Sequence, residues 1–205
     1  EQLAADEFAA DDPDKLIATA FMRLGIYEWN QRNARMQWEL ILTEMTNVTS
    51  EAFLGLGMGC AQCHDHKFDP ILQKDYFALQ SFLNSTWWPE NQTLASPQQR
   101  AEHDAKLAKW EEATKELRAE LDAMTGPVLE GKRKGAVIQF PEDVQAIYWK
   151  KPEERTAHEE QLAQLVQRQV DFEFKRVDWK KTFAKDEKKL ARHTELTEAL
   201  KKFDS

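Results

Sequence analysis

Apolar positions recur at helical spacing along most of this chain. Between Arg32 and Phe53, the residues Trp38, Ile41, Leu42, Met45, Val48 and Ala52 stand three or four apart, which predicts an amphipathic helix over 32–53. Upstream, residues 1–10 predict a first helix, interrupted by Asp11-Asp12-Pro13. Asp12 as cap and Pro13 at the first helical position open a second helix, with Leu16, Ile17, Ala20 and Leu24 as its stripe and Gly25 as its end. Residues 26–33, with Tyr27 and Trp29 among Asn and Gln, predict a loop. Helix resumes over 73–84 around Tyr76, Phe77, Leu79 and Leu83, and Ser85-Thr-Trp87-Trp88-Pro89 breaks it.

The second half is more charged. Residues 97–125 form a helical run opened by Ser96-Pro97 and closed by Gly126-Pro127, with Leu107, Trp110, Ala113, Leu117 and Leu121 as a narrow seam for a partner helix. Residues 131–140 change character, and Val137-Ile138-Gln139-Phe140 predicts a short strand or extended arm. Helices follow over 141–149 and 153–178, the latter opened by Pro152, and 179–203 pairs antiparallel with 97–125. The pattern predicts an all-α, irregular multi-helix fold with a long charged helical hairpin and at most one short strand. Residues 1–96 form its core, and 97–205 form a helical extension of the same domain.

Between two of these helices lies Gly55-Leu-Gly-Met-Gly-Cys60-Ala-Gln-Cys63-His64-Asp-His66-Lys67-Phe-Asp69-Pro70. Two cysteines separated by two residues and followed at once by histidine are the attachment pattern of a c-type haem. The thiols add to the two vinyl groups, the short spacing lets both reach one edge of the macrocycle, and the histidine binds the iron. Cys60 and Cys63 are thus expected to be the thioether residues of one covalent haem c, with His64 as its axial ligand; a zinc knuckle, a redox dithiol or a chance pentapeptide are the alternatives. A structural zinc would need four ligands, and no second cysteine pair exists. A thioredoxin-type dithiol belongs to a βαβ pattern that is absent here.

Around this core the reading is more open. Gly55, Gly57 and Gly59 on the approach to Cys60 suit a backbone that passes close to a flat ligand or adopts positive φ, or form a flexible turn. His66 and Lys67 stand where they can meet a propionate, and Asp65 or Asp69 where it can cap the next helix. Met45 is the methionine best placed to be a distal ligand, or else is core. His66 is too near His64 to cross to the other face of the haem, and His103, His158 and His193 lie on charged helices that read as exposed. No histidine of 65–205 is therefore expected to ligate the iron. The second axial position falls to a methionine, an exchangeable molecule or an upstream group.

The wider segment carries a resemblance. Phe53-Leu-Gly-Leu, then Gly59-Cys60-Ala-Gln-Cys63-His64-Asp65-His66-Lys67-Phe68-Asp69-Pro70-Ile71, then Asp75-Tyr76-Phe77, together with stretches near Gln2-Leu3-Ala4, Ala20–Gly25 and Pro152–Thr156, resemble the planctomycete-type cytochrome c domain family, long catalogued as a domain of unknown function. Phe77 and Met58 depart from its usual residues. The resemblance implies export to the periplasm or beyond in a bacterium, membership of a larger multidomain protein, and a helical region upstream of residue 1.

Composition narrows the partners. In 205 residues, 41% hydrophobic, a single core is affordable, while a formal charge of −8 argues against nucleic acid or an anionic membrane. No apolar run reaches bilayer length, and no basic start leads into an apolar core, so the chain reads as a mature form or an excised portion. Three functions fit: electron transfer to a redox partner protein or to other domains of the parent chain; a haem enzyme with an open distal site; or a structural module of an exported polysaccharide-degradation system. No carboxylate pair has the setting of a glycosidase site.

Overall fold

The computed structural model describes residues 1–25, 33–86, 88 and 93–203, and among these it contains helices and turns but no strand. Tyr27, Trp29 and Trp87 lie outside the described residues. The helices are α1 (Ala5–Phe8), α2 (Pro13–Ala18), α3 (Ala34–Thr49), α4 (Gln73–Leu83), α5 (Pro97–Val137), α6 (Glu142–Trp149), α7 (Ala157–Lys175), α8 (Trp179–Thr182) and α9 (Glu187–Lys201). They divide into two compact units, one of residues 1–92 and 138–168, the other of 93–137 and 169–205.

In the first unit α2 starts as its sequence implies. The Asp12 carboxylate accepts from the N–H groups of Asp14 (3.1 Å) and Lys15 (3.3 Å), with Pro13 at the first helical position. The helix tightens into a 3-10 segment over Thr19–Arg23, and only part of the expected stripe is covered: Leu16 is buried, Ile17 and Leu24 are exposed. The long central helix is α3, capped by Asn33 and burying Trp38, Ile41, Leu42 and Met45. Trp38 meets Trp88 edge to face, and the backbone N–H of Trp88 donates to the side-chain oxygen of buried Gln161 at 3.0 Å. Arg35 donates to Asp143 at 2.7 Å and holds that carboxyl below its ordinary range. These ties explain why residues 138–168 fold with the N-terminal helices.

The second unit departs from expectation. The helix that Gly126-Pro127 was to close continues to Val137, about three turns further, so residues 131–137 are helical and there is no strand at 131–140. An internal proline removes the bond to the carbonyl of Ala123 and crowds that turn, a cost of about 3 kcal/mol. Packing on both sides offsets it: Thr125 before the proline and Ala136 and Val137 after it are buried, Lys134 pairs with Glu130, and Lys132 reaches Glu173. The returning chain brings Glu173 opposite Lys132 and Arg192 opposite Glu120, an antiparallel order, with the Arg192 guanidinium donating to both Glu120 oxygens (2.7 and 2.6 Å). The predicted 179–203 segment is two helices, each opened by its own aspartate, Asp178 for α8 and Asp186 for α9.

One boundary in the second half also moved. The start of α7 lies at Ala157, after a 3-10 turn at Pro152–Glu154, because Thr156 and Glu159 form a reciprocal cap: the Thr156 N–H donates to Glu159 (2.8 Å) and the Glu159 N–H to the Thr156 hydroxyl (3.2 Å). His158 and His193 are half-buried rather than exposed. Burial pushes the His158 pKa down, and His193 packs, tilted, against both Trp179 (5.1 Å) and Phe183 (5.7 Å), which stack on each other. His103 is exposed, beside Asp104.

Candidate functional site

The chain leaves α3 through a π-turn over Ser50–Leu54, which ends at Gly55 with φ 66°, the one positive φ among the described residues. Both Gly55 and Leu56 donate their N–H groups to the Ser50 carbonyl, so the helix end is closed by a left-handed residue that only glycine adopts without strain. Gly57 and Gly59 have ordinary φ. A Cβ on Gly59 would touch the Asn47 side chain at 3.5 Å, an ordinary contact, and one on Gly57 would touch nothing. Of the three glycines, only Gly55 is required by the backbone.

A 3-10 turn over Met58–Gln62 follows, closed by the Cys63 N–H donating to the Cys60 carbonyl at 3.4 Å. With three residues per turn, positions i and i+3 lie one above the other. Met58 and Ala61 therefore share the inner edge, where they pack with Ile71, Tyr76 and Leu79. Cys60 and Cys63 share another edge, and both are free thiols exposed to solvent. The spacing that sets two residues between the cysteines thus also sets Cys60 and the capping Cys63 at the same edge of the turn.

His64 comes next and is exposed, its Nδ1 2.7 Å from the Asp65 carbonyl. A carbonyl only accepts, so in the neutral ring Nδ1 carries the proton and Nε2 the lone pair. His66 is tied the other way. Its Nδ1 accepts from the N–H groups of Asp69 (2.9 Å) and Phe68 (3.4 Å), which puts the proton of the neutral ring on Nε2. The Asp69 carboxylate stands 3.2 Å from the same nitrogen, and the His66 side chain is only 15% exposed. His66 organises the loop, and the loop closes where its backbone N–H donates to the Ile71 carbonyl at 2.8 Å.

The same loop is pinned to both neighbouring helices. Asp65 accepts from the Gln73 N–H at 2.8 Å, capping α4, and Asp75 accepts from the Leu72 N–H at 2.9 Å. Gln73 donates to the Gln62 carbonyl (3.1 Å), and Gln62 donates to the Thr43 hydroxyl of α3 (3.2 Å). Sequence reasoning missed this Thr43–Gln62–Gln73 tie, because nothing in the order of residues marks glutamines 11 apart as partners. Buried Tyr76 lies beneath the turn; burial pushes its pKa up, while Thr43 and Thr46 oppose that push without reaching hydrogen-bond geometry. Lys67 is exposed, its ammonium 5.3 Å from the centre of the Phe68 ring.

Met45 is not brought to this turn. On α3 the residues that meet the motif are Thr43, Thr46 and Asn47, and at 100° per residue Met45 faces nearly the opposite way. It lines instead a cavity of about 80 Å³ with Met22, Ile41, Val48, Thr49 and Trp88. Among the described residues no three His, Cys, Asp or Glu side chains are gathered into a metal cage. No described helix is long and apolar enough to cross a membrane.

Residues 1–87 match the model of the family PSCyt2, described as a protein of unknown function (DUF1549). The match covers the first helices, the Cys60–His64 turn and α4, and agrees with the family that the motif resembles. Neither the curated proteins nor the solved structures yielded a match.

Proposed function

We propose that this chain carries one haem c on Cys60, Cys63 and His64 and transfers electrons outside the cytoplasm as part of a larger exported protein. The observation that carries the reading is the placement of two free, exposed thiols on one edge of a single 3-10 turn, with the next residue a histidine whose Nδ1 is held by the Asp65 carbonyl. Covalent haem asks the protein for two thiols on one side and one imidazole nitrogen with a lone pair, and this donor set meets both demands. Zinc would ask for two further ligands, which the described residues do not gather.

When bound, the haem would supply a one-electron couple. The chain's own contribution is to hold it and fix its ligand. Cys60 and Cys63 would anchor it, the Asp65 carbonyl fixes the His64 tautomer and ring plane, and the ties from Asp65 to Gln73 and from Gln62 to Thr43 keep that turn rigid against α4 and α3. A fixed ligand geometry costs little reorganisation when the charge changes, which suits electron transfer.

The test is a redox titration of the full chain produced in cells competent for cytochrome c maturation. A reversible single-electron curve, with rapid reoxidation by a soluble electron acceptor and no peroxide turnover, is expected. Steady turnover of peroxide or of an organic substrate would favour a haem enzyme and overturn the electron-transfer reading.

A further inference from the structure

Large apolar side chains stand in solvent on both sides of the two cysteines. Leu54 (55% exposed) and Leu56 (43%) precede the turn, and Phe68 (84%) and Leu72 (39%) follow it. Single exposed apolar residues are ordinary, but a group of them around one functional element signals something that covers them. Their backbones are not loose: Leu56 is bonded to Ser50 and to Met58, and Leu72 to the Asp75 carboxylate. Phe68 sits at the tip of a loop closed by the bond from His66 to Ile71.

The connections bring these residues to the donor set. Leu56 is four residues before Cys60, and the left-handed turn at Gly55 separates it from Leu54. On the other side, the neighbour of Leu72, Gln73, bonds to Asp65, whose carbonyl holds His64. Resting on the haem reading above, we infer that Leu54, Leu56, Phe68 and Leu72 are the apolar wall that a haem tethered at Cys60 and Cys63 covers. The occupant follows from the tether: a flat, largely apolar ring held by two thioethers on this turn must lie over whatever flanks the turn. The π-turn and the left-handed Gly55 then have a role, since they carry Leu54 and Leu56 out of the regular course of α3.

The test compares the full chain with and without haem, made in cells with and without the maturation machinery, by hydroxyl-radical footprinting read by mass spectrometry. Oxidation of Leu54, Leu56, Phe68 and Leu72 should fall several-fold in the haem-bearing chain, while exposed Ile138 is unchanged. In a second measurement, Leu54→Ser and Phe68→Ser, both at exposed positions, should retain the haem but lower its midpoint potential, because polar surroundings favour the more positively charged oxidised state. A haem-bearing chain with equal oxidation at all four positions and unaltered potentials would overturn the wall while leaving attachment intact. A chain that never acquires haem mass would remove the wall and the haem reading together.

Discussion

Between Ser50 and Gln73 nearly every change of backbone direction is tied to a named partner, whereas α5 runs from Pro97 to Val137 through three glycines and an internal proline without leaving the helix. The first segment uses a π-turn, a left-handed glycine and a 3-10 turn in succession, and its exposed residues are the ones with chemistry. The second is regular and rich in exposed Lys and Glu; its expected seam is only partly covered, with Trp110, Leu117 and Leu121 half-buried and Leu107 and Ala113 exposed, beside buried Thr114 and Thr125, whose hydroxyls donate back to carbonyls four residues earlier. Irregular backbone is costly and persists where something requires it. Regular helix needs only propensity and a seam. The contrast fits the proposed reading, with the motif as the functional element and the hairpin as scaffold, and each substitution below probes one side of it.

The largest effect is expected beneath the turn. Tyr76 is fully buried against Met58 and Ala61, so Tyr76→Ala should cost about 3–5 kcal/mol in urea unfolding and reduce haem loading along with stability. On the hairpin side, Pro127→Ala restores an N–H to a helix that already runs through this position and should raise stability by about 1–3 kcal/mol. A loss of stability there would mean that the proline is a designed kink and that α5 is not simply scaffold.

Smaller and more pointed is the comparison of two glycines. Gly55→Ala forces a Cβ into the left-handed region and should cost about 1–2 kcal/mol, whereas Gly57→Ala, with open space and ordinary φ, should leave the unfolding midpoint nearly unchanged. Equal effects would show that the glycines serve a flexible approach rather than a fixed one.

The smallest effect concerns the hairpin surface. Hydrogen bonds from Arg192 hold the Glu120 carboxyl below its ordinary pKa, so the unfolded chain binds the proton more readily than the folded one. The stabilisation is present above the unfolded pKa, about 4.3, and is lost as pH falls through the lower folded value. Urea midpoints followed from pH 6 to pH 3 should therefore fall less steeply in Glu120→Gln than in the parent, and salt should shrink the difference because the pair is exposed.

Much of this was legible in the residue order. Helices with an apolar stripe and a local cap, such as α3 after Asn33 and α2 after Asp12, follow from spacing and from side chains that bond within the same turn. What escaped depends on distant contacts. Gly126-Pro127 reads as a stop because the burial of Thr125, Ala136 and Val137 that offsets it is invisible in sequence, and the half-burial of His158 and His193 depends on helices that meet them from elsewhere. The candidate site divides the same way. Cys60, Cys63 and His64 are marked by adjacency, and the Asp65 cap of α4 is a local expectation that the geometry meets. Met45 shares the helix beside the motif but faces the cavity behind it, a matter of phase that the approximate bounds of a predicted helix leave open.

The central claim is that the two thiols and His64 form a covalent haem site. Its most direct test is the intact mass of the denatured chain made in cells with the cytochrome c maturation machinery, set beside Cys60→Ser, Cys63→Ser and the double variant. The parent chain should carry one haem mass that survives denaturation and acid extraction, each single variant at most one thioether, and the double variant none. An unmodified mass from maturation-competent cells, or a stoichiometric zinc on the native chain, would contradict it.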